Sequence, residues 1–126
     1  MNKVIVKEKA YSYSTNFRED DLLRNSFNRL TQKVYEFDFE NWYQSGYWGK
    51  SYIPYSLLDG DKMVSNVSIS IIDFLVFGEK RTFVQIGTVM TDPDYRHKGL
   101  NKVLLEKVLE VWRGRCDLIL FLVVLY

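Results

Sequence analysis

The alternation of apolar and polar residues predicts a short strand and then a long helix at the start of the chain. The segment Lys3 to Lys7 runs Lys, Val, Ile, Val, Lys, which is typical of a short edge strand. Further on, Asn16 and Glu19 resemble a capping box, and apolar residues then recur at intervals of four, three, four and three. The recurring residues are Leu23, Phe27, Leu30, Val34 and Phe37. This spacing predicts an amphipathic helix from about Phe17 to Phe37.

The middle of the chain changes from aromatic to β-forming composition. Between Asp38 and Pro54, aromatic residues and two glycines follow one another without a clean period, which predicts a short helix and then a loop. Three β-rich segments come next, separated by the turn-forming runs 59–61 and 78–81. They are Tyr55 to Leu58, Lys62 to Phe77 and Thr82 to Thr91. Short turns between such segments predict an antiparallel meander.

The last part of the chain predicts a helix and a buried strand. After Gly99, apolar residues mark one helical face as far as Gly114, and the segment from Leu118 to Tyr126 is continuously apolar. Such a run is typical of a strand covered on both faces, and it is too short to span a bilayer as a helix. The predicted order is therefore β, α, α, β, β, β, α, β, an α/β (α+β) fold with a mixed sheet. Its 126 residues, without a Pro-rich linker, predict a single domain over residues 1–126.

Composition excludes several classes of function. A formal net charge of +1 argues against a nucleic-acid-binding protein. Cys116 and His97 are the single cysteine and histidine, so an intrachain disulfide, a multi-cysteine zinc site and a poly-histidine site are excluded. Charges interrupt the apolar residues after Met1 too early for a signal peptide. We therefore expect a cytoplasmic protein without a metal site and without a membrane partner.

The segment from Thr82 to Trp112 is where the sequence points to chemistry. A strand is followed by a Pro-containing break, a basic turn with Gly99, and the start of a helix. Unpaired N–H groups and the positive end of the helix dipole make such a helix start favourable for phosphate. Arg96, His97, Lys98 and Lys102 add cations or donors around it. Spacing alone leaves two interpretations open, a pyrophosphate site and a solvated basic turn.

The run from Val89 to Leu100 resembles the cofactor-binding motif of the GNAT acyltransferase superfamily. In that motif an Arg- or Gln-x-x-Gly-x-Gly or Ala turn follows a strand and a Pro-containing loop. Arg96 and Gly99 match it, whereas Asn101 replaces the final small residue. The order of elements also resembles the family over nearly the whole chain. Family members usually continue with another helix and two strands, so the resemblance implies a chain that is truncated at its C-terminus.

The resemblance implies that the co-substrate is acetyl-CoA or another acyl-CoA, bound without a metal. It implies that the main chain of Val89 to Thr91 hydrogen-bonds the pantetheine arm, and that His97 to Lys102 receive the pyrophosphate. The residues expected to bind CoA are Val89, Met90, Thr91, Arg96, His97, Lys98, Gly99, Leu100, Asn101 and Lys102. An aromatic group is expected either in the acceptor cleft or in core or interface packing. It comprises Trp42, Tyr43, Tyr47, Trp48, Tyr52 and Tyr55.

The sequence does not identify the catalytic residues. Gln85 aligns with the position where the family often carries a Glu base, and an amide cannot accept the amine proton at neutral pH. Asp73, or a water held by Gln85 and Tyr side chains, are the alternatives. The leading hypothesis is an N-acetyltransferase that moves an acetyl group to a small-molecule or peptide amine by direct attack. The alternative is a catalytically weak or inactive CoA-binding or protein-interaction subunit, and the apolar run 118–126 predicts a homodimer.

Overall fold

Six strands form one sheet in the order of the sequence in the computed structural model, which describes residues 2–121. Neighbouring strands are antiparallel from β1 to β5, whereas β6 runs parallel to β5, with Leu118–Phe121 beside Phe83–Ile86. The strands are β1 (Asn2–Val6), β2 (Lys9–Thr15), β3 (Tyr52–Asp59), β4 (Lys62–Val76), β5 (Glu79–Thr91) and β6 (Leu118–Phe121). The predicted mixed, mainly antiparallel sheet and its meander are confirmed.

Helices cover both faces of this sheet. The helices α1 (Asp21–Tyr35) and α2 (Glu40–Gln44) lie on one face, and α3 (Leu100–Trp112) lies on the other. Two apolar cores result, because α3 packs through Leu100, Leu104 and Val108 while α1 packs through Phe27 and Leu30. Within residues 2–121, no helix combines the length and apolar character needed to cross a membrane.

The N-terminal strand of the sequence prediction is in fact a hairpin of two strands. Lys7 and Glu8 form the connection between β1 and β2, and both have a positive φ, 48° and 69°. Tight hairpin turns need this conformation, which glycine or asparagine usually supplies. Because neither Lys7 nor Glu8 is a usual turn former, the sequence pattern did not indicate a turn, and strand β2 was not predicted.

The start of α1 also differs from the prediction. The N-cap is Asp20, whose side chain accepts a hydrogen bond from the Leu23 N–H at 3.1 Å. The predicted capping residue Asn16 instead lies at the end of β2, where its N–H donates to the Pro54 carbonyl at 3.3 Å. Pairing of β2 with β3 holds the chain in the sheet up to Thr15, so the helix begins later than the capping-box pattern indicated.

The final strand departs from the prediction in its burial. A continuous apolar run predicted a strand covered on both faces, yet Leu118, Leu120 and Phe121 are exposed by 46%, 40% and 57%. Along residues 2–121, β6 pairs on one side only, with β5. The remainder of the predicted strand, residues 122–126, lies outside the described residues.

Candidate functional site

The turn between β5 and α3 presents an open helix start. Gly99 is the N-cap of α3, with φ of 79°, and α3 has neither a capping side chain nor an acidic residue in its first turn. A Cβ atom built on Gly99 would meet nothing within 4 Å. The first N–H groups of α3 therefore remain available, and the positive end of the helix dipole faces an unobstructed surface.

The cations of this turn are not engaged elsewhere. Arg96, Lys98 and Lys102 are exposed, and none has an ion pair or side-chain hydrogen bond within residues 2–121. A further cation comes from Lys7, whose Nζ donates to the carbonyl of His97 at 3.3 Å. Lys7 could not be placed at this turn from the sequence, because its position follows from the β1–β2 hairpin.

Three of the predicted CoA-binding residues have side chains that are committed to packing or to another bond. Met90 and Leu100 are each 2% exposed and lie in the cores on opposite faces of the sheet. Asn101 accepts a hydrogen bond from the Ser65 hydroxyl at 2.6 Å, so its side chain reaches towards β4. At Met90 and Leu100, only main-chain atoms remain for a ligand.

A bulge interrupts β5 just before the predicted pantetheine-binding residues. Its register with β4 shifts between Asn66 and Ser68, and Thr88 has a φ of 50°. A positive φ is strained for a β-branched residue and persists only where neighbours hold it. The Asn66 amide does so by donating to the Thr88 carbonyl at 3.0 Å.

A buried polar network supports this bulge. The Asn66 Nδ2 also donates to the Ser68 hydroxyl at 2.9 Å, and the Ser56 hydroxyl donates to the Asn66 Oδ1 at 2.7 Å. All three residues are fully buried, and their side-chain polar atoms have partners. A satisfied network of this kind fixes local geometry, so the backbone direction at Thr88 and Val89 is set by three neighbouring strands.

Four aromatic rings form an arc above the bulge, and we call Tyr35, Phe37, Phe39 and Tyr52 the aromatic arc. Successive rings are stacked, with centroids 5.8, 5.6 and 5.8 Å apart. Both ends meet β5, because the Tyr35 hydroxyl donates to the Val89 carbonyl at 2.6 Å and the Tyr52 hydroxyl donates to the Thr88 hydroxyl at 3.0 Å. Two tyrosine hydroxyls thus converge on consecutive residues of the strand.

The predicted aromatic group is divided by the structure. Trp48 is a core residue, 2% exposed, and its indole N–H has no partner within residues 2–121. Tyr55 lies in the core on the α3 face, where its hydroxyl accepts from the Trp112 Nε1 at 2.9 Å. Tyr43 packs under the Arg24 guanidinium, which lies 3.8 Å from the ring centroid. Of this group, Tyr52 reaches the bulge and Trp42 packs edge-on against it at 5.3 Å.

Phe37 and Phe39 were not recognised as site residues from the sequence. Phe37 follows Val34 by three residues, which is a helical interval. The pattern therefore assigned Phe37 to the core face of α1. The helix instead ends at Tyr35, and Glu36 takes the left-handed conformation with φ of 65°. This αL residue ends the helical period and turns the next aromatic residues out beside Tyr35.

Burial controls the ionisation of the Tyr52 hydroxyl. Desolvation raises its pKa to about 12, against weaker lowering by hydrogen bonds with Ser68 and Thr88, and the nearby Tyr35 raises it further. Tyr52 is therefore neutral at physiological pH. Its one hydroxyl hydrogen is donated to Thr88, and it cannot serve as a resident base.

Gln85 lies on the same face of the sheet as the aromatic arc. Its neighbours Val84 and Ile86 point into the α3 core, so strand alternation places Gln85 on the face of α1 and α2. It is opposite Ser70, which is itself opposite Tyr52. Gln85 and Tyr52 are therefore two strands apart in one cross-strand row.

Asp73, the other residue considered as a base, lies far from this row. It pairs with Thr82, three residues before Gln85 on β5, which places it about 10 Å from the row and on the α3 face of the sheet. Its carboxylate accepts from the Thr82 hydroxyl at 2.7 Å and is exposed. Residues 2–121 also contain no group of three or more His, Cys, Asp or Glu side chains that could hold a metal ion.

An ion pair fixes the start of the basic turn. Asp92 is fully buried and receives the Lys33 Nζ at 2.9 Å as well as the Asp94 N–H at 3.0 Å. Burial favours a higher pKa, but the Asp94 N–H and the Lys33 ammonium outweigh it, so the pKa of Asp92 is lowered below its usual range. The pair connects the last turn of α1 to the end of β5.

We expect Asp92→Asn to lower the free energy of unfolding by about 2 kcal/mol at pH 7, since Lys33 loses its buried partner. Because the folded pKa of Asp92 lies below its unfolded value, this contribution is present above about pH 4 and is lost as the pH falls through the folded pKa. Urea unfolding between pH 7 and pH 3 measures it. Asp94→Asn, at an exposed residue 3.4 Å from Lys33, is the control and should change little. Equal stability of the wild type and Asp92→Asn at pH 7 would contradict the assignment.

Comparison with known proteins agrees with this architecture. Residues 18–125 match the family described as the acetyltransferase (GNAT) domain. No curated protein matches the chain at a significant level. Among solved structures, an aminoglycoside acetyltransferase from an uncultured soil metagenomic sample, in complex with trehalose, superposes with a TM-score of 0.71 at 13% identity. The match covers 89% of this chain and 76% of that protein.

Two further structures share the fold. An acetyltransferase of Trypanosoma brucei has a TM-score of 0.69 at 19% identity, over 88% of this chain and 81% of its own. A predicted acetyltransferase of Clostridium acetobutylicum, solved with acetyl-CoA, has a TM-score of 0.65 at 16% identity, over 89% of this chain and 80% of its own. At these identities the structural likeness shows the fold, and the family match covers most of the sequence. The chain belongs to the GNAT acetyltransferase family.

Proposed function

We propose that this protein is a cytoplasmic N-acetyltransferase that transfers an acetyl group from acetyl-CoA to a primary amine by direct attack. The observation that carries the proposal is the juxtaposition of an open helix start with a tyrosine-lined bulge. Cations that have no ion pair within residues 2–121 surround Gly99 at the start of α3, and the strand leading to it accepts hydrogen bonds from Tyr52 at Thr88 and from Tyr35 at Val89. One end of this arrangement suits a phosphate, and the other suits acyl transfer.

The residues at the turn fit a CoA pyrophosphate. The N–H groups of the first turn of α3 have no competing cap, and the open space at Gly99 admits a close approach. Arg96, Lys98 and Lys102 would add charge-assisted hydrogen bonds. When bound, acetyl-CoA would supply an acyl thioester whose C–S bond breaks as the amide N–C bond forms, the sulfur gaining the proton that the amine loses.

Among the described residues, the site contains hydroxyl groups but no side chain that can accept the proton of the amine. Tyr35 and Tyr52 donate their hydroxyl hydrogens to β5, and Tyr52 stays protonated. Gln85 offers an amide, which orients water but does not take a proton at neutral pH. We therefore assign the acceptance of the amine proton to water held on this face, and we expect the acetyl transfer to be slow.

Gln85 also favours a second function. With Gln85 in place of a carboxylate, the chain would bind CoA while turning over weakly or not at all, as a CoA-binding or protein-interaction subunit. The exposed residues Leu118, Leu120 and Phe121 support association with a second copy through β6. Sedimentation from micromolar to millimolar concentration tests that homodimer, and a monomer throughout would refute it.

The decisive experiment is an acetyl-CoA titration by calorimetry followed by a thiol-release assay across a panel of amines. We expect saturable binding with one site per chain, and thiol release that depends on the amine. Binding without any amine-dependent release would favour the CoA-binding subunit. Absence of binding would refute both functions.

A further inference from the structure

The surface beside the aromatic arc is unusually aromatic and acidic. Residues 34–49 contain seven aromatic residues, three acidic residues and no Lys, Arg or His. Phe37, Trp42 and Tyr47 are exposed by 47%, 37% and 71%. Aromatic side chains left in water beside a tyrosine-lined bulge are unexplained by the binding of CoA at α3, and they form a surface for another ligand.

This surface is continuous with the proposed site of transfer. The exposed ring of Phe37 stacks on Tyr35 at 5.8 Å, and the Tyr35 hydroxyl bonds the Val89 carbonyl. On the other side Trp42 packs edge-on against Tyr52, whose hydroxyl bonds Thr88. A ligand lying on Phe37 or Trp42 is thus one ring away from the residues that contact the bulge.

The charge of the surface is negative. Glu40 is neutralised by the Arg24 guanidinium, at 2.9 Å, and this pair holds α2 against α1. Glu36 and Asp38 are exposed and have no ion pair within residues 2–121. Their carboxylates alternate along the chain with the rings of Tyr35, Phe37 and Phe39. Exposed rings and unpaired carboxylates together complement a ligand that has both a flat apolar body and a positive charge.

We propose that the acceptor is a small primary amine that carries an aromatic ring, an inference that rests on the proposed acetyl transfer. The ring of the amine stacks on the exposed rings of Phe37 and Trp42, and Glu36 and Asp38 attract the ammonium form before it loses its proton. A linear polyamine would use the carboxylates alone and leave the aromatic surface in water. A saturated ring would keep the apolar contact and lose the ring–ring geometry.

Three amines separate these contributions: 2-phenylethylamine, 2-cyclohexylethylamine and 1,4-diaminobutane. Thiol release at saturating acetyl-CoA gives kcat/KM for each amine, and calorimetry gives amine binding without acetyl-CoA. We expect 2-phenylethylamine to exceed 2-cyclohexylethylamine by about 3- to 10-fold, the range that ring–ring contacts give, and to exceed 1,4-diaminobutane by more. Equal values, or a preference for either of the other amines, would overturn the proposal.

Substitutions at the exposed aromatic residues test where the preference for a phenyl ring arises. Phe37→Leu and Trp42→Leu keep apolar side chains at exposed positions, and each should bring the phenyl-to-cyclohexyl ratio close to one. Phe77→Leu is the matched control, because Phe77 is a fully exposed aromatic residue at the β4–β5 turn and should leave the ratio unchanged. A ratio that survives both site variants would overturn the location. Glu36→Gln with Asp38→Asn should raise KM a few-fold at low salt and not at high salt; an unchanged KM would overturn the ionic part.

The two readouts keep this inference separate from the proposed function. Thiol release with all three amines at rates that ignore the aromatic ring would support acetyl transfer and reject the aromatic acceptor. If 2-phenylethylamine binds selectively but no amine releases thiol, the proposed transfer fails while the aromatic surface stands as a binding site.

Discussion

Gly99→Glu is expected to raise the dissociation constant for acetyl-CoA by about 100-fold or more. The change places a carboxylate at the open start of α3, where it would cap the free N–H groups and repel the pyrophosphate. It also forces a side chain into a φ of 79°, which strains the turn that Arg96 and Lys98 share. Calorimetric titration with acetyl-CoA measures the effect.

Gly78→Glu is the matched control for that variant. Gly78 has the same φ of 79° and equally open surroundings, but it lies in the β4–β5 turn. It therefore imposes the same backbone strain and the same added charge far from α3, and its affinity for acetyl-CoA should equal that of the wild type. Gly99→Ala separates strain from charge at the site. An unchanged affinity in Gly99→Glu would place CoA elsewhere on the protein or nowhere.

Gln85→Glu is expected to increase the rate of acetyl transfer by about 100-fold, the low end of what a positioned general base contributes. A carboxylate at this position would lie in the cross-strand row that contains Ser70 and Tyr52, on the face where the amine is expected. The affinity for acetyl-CoA should stay the same, since the turn at Gly99 is untouched. The kcat at saturating 2-phenylethylamine, followed as a function of pH, provides the measurement.

A gain in rate alone would not prove that the new carboxylate acts as a base. The rate of Gln85→Glu should rise with pH through the pKa of the carboxyl group, a dependence that the wild type lacks. Gln32→Glu makes the same chemical change on the exposed surface of α1 and should leave the rate unaltered. If Gln85→Glu binds acetyl-CoA normally but is no faster than the wild type, Gln85 is not the vacant base position.

The part of the site that could be predicted from the sequence is the part built by consecutive residues. The strand β5, the break at Pro93, the basic turn and α3 follow one another in a single segment, so their periodicity and their glycine identify them locally. The antiparallel meander was predictable for the same reason, since short turns force neighbouring strands to pair. The sequence pattern was sufficient to predict the elements whose geometry is set by adjacent residues.

The aromatic arc could not be predicted, because it depends on backbone conformations that the residue types at those positions do not indicate. Glu36 and Thr88 both take a positive φ, the first ending α1 and the second forming the bulge. Neither is a residue type that usually adopts this conformation. The partners that hold them come from distant segments, such as Asn66 at Thr88. Pairing between β2 and β3 likewise displaced the helix start that the capping pattern suggested.

The network of Ser56, Asn66 and Ser68 has a consequence for how this sequence can vary. Each side chain satisfies another inside the sheet, so replacing any one of them by an apolar residue leaves buried donors or acceptors unpaired. Replacing all three together removes the unpaired groups but releases the carbonyl of Thr88. A single apolar substitution at any of these positions therefore destabilises the protein. Divergent copies of this protein should keep them or change them as a set that supplies another donor to the Thr88 carbonyl.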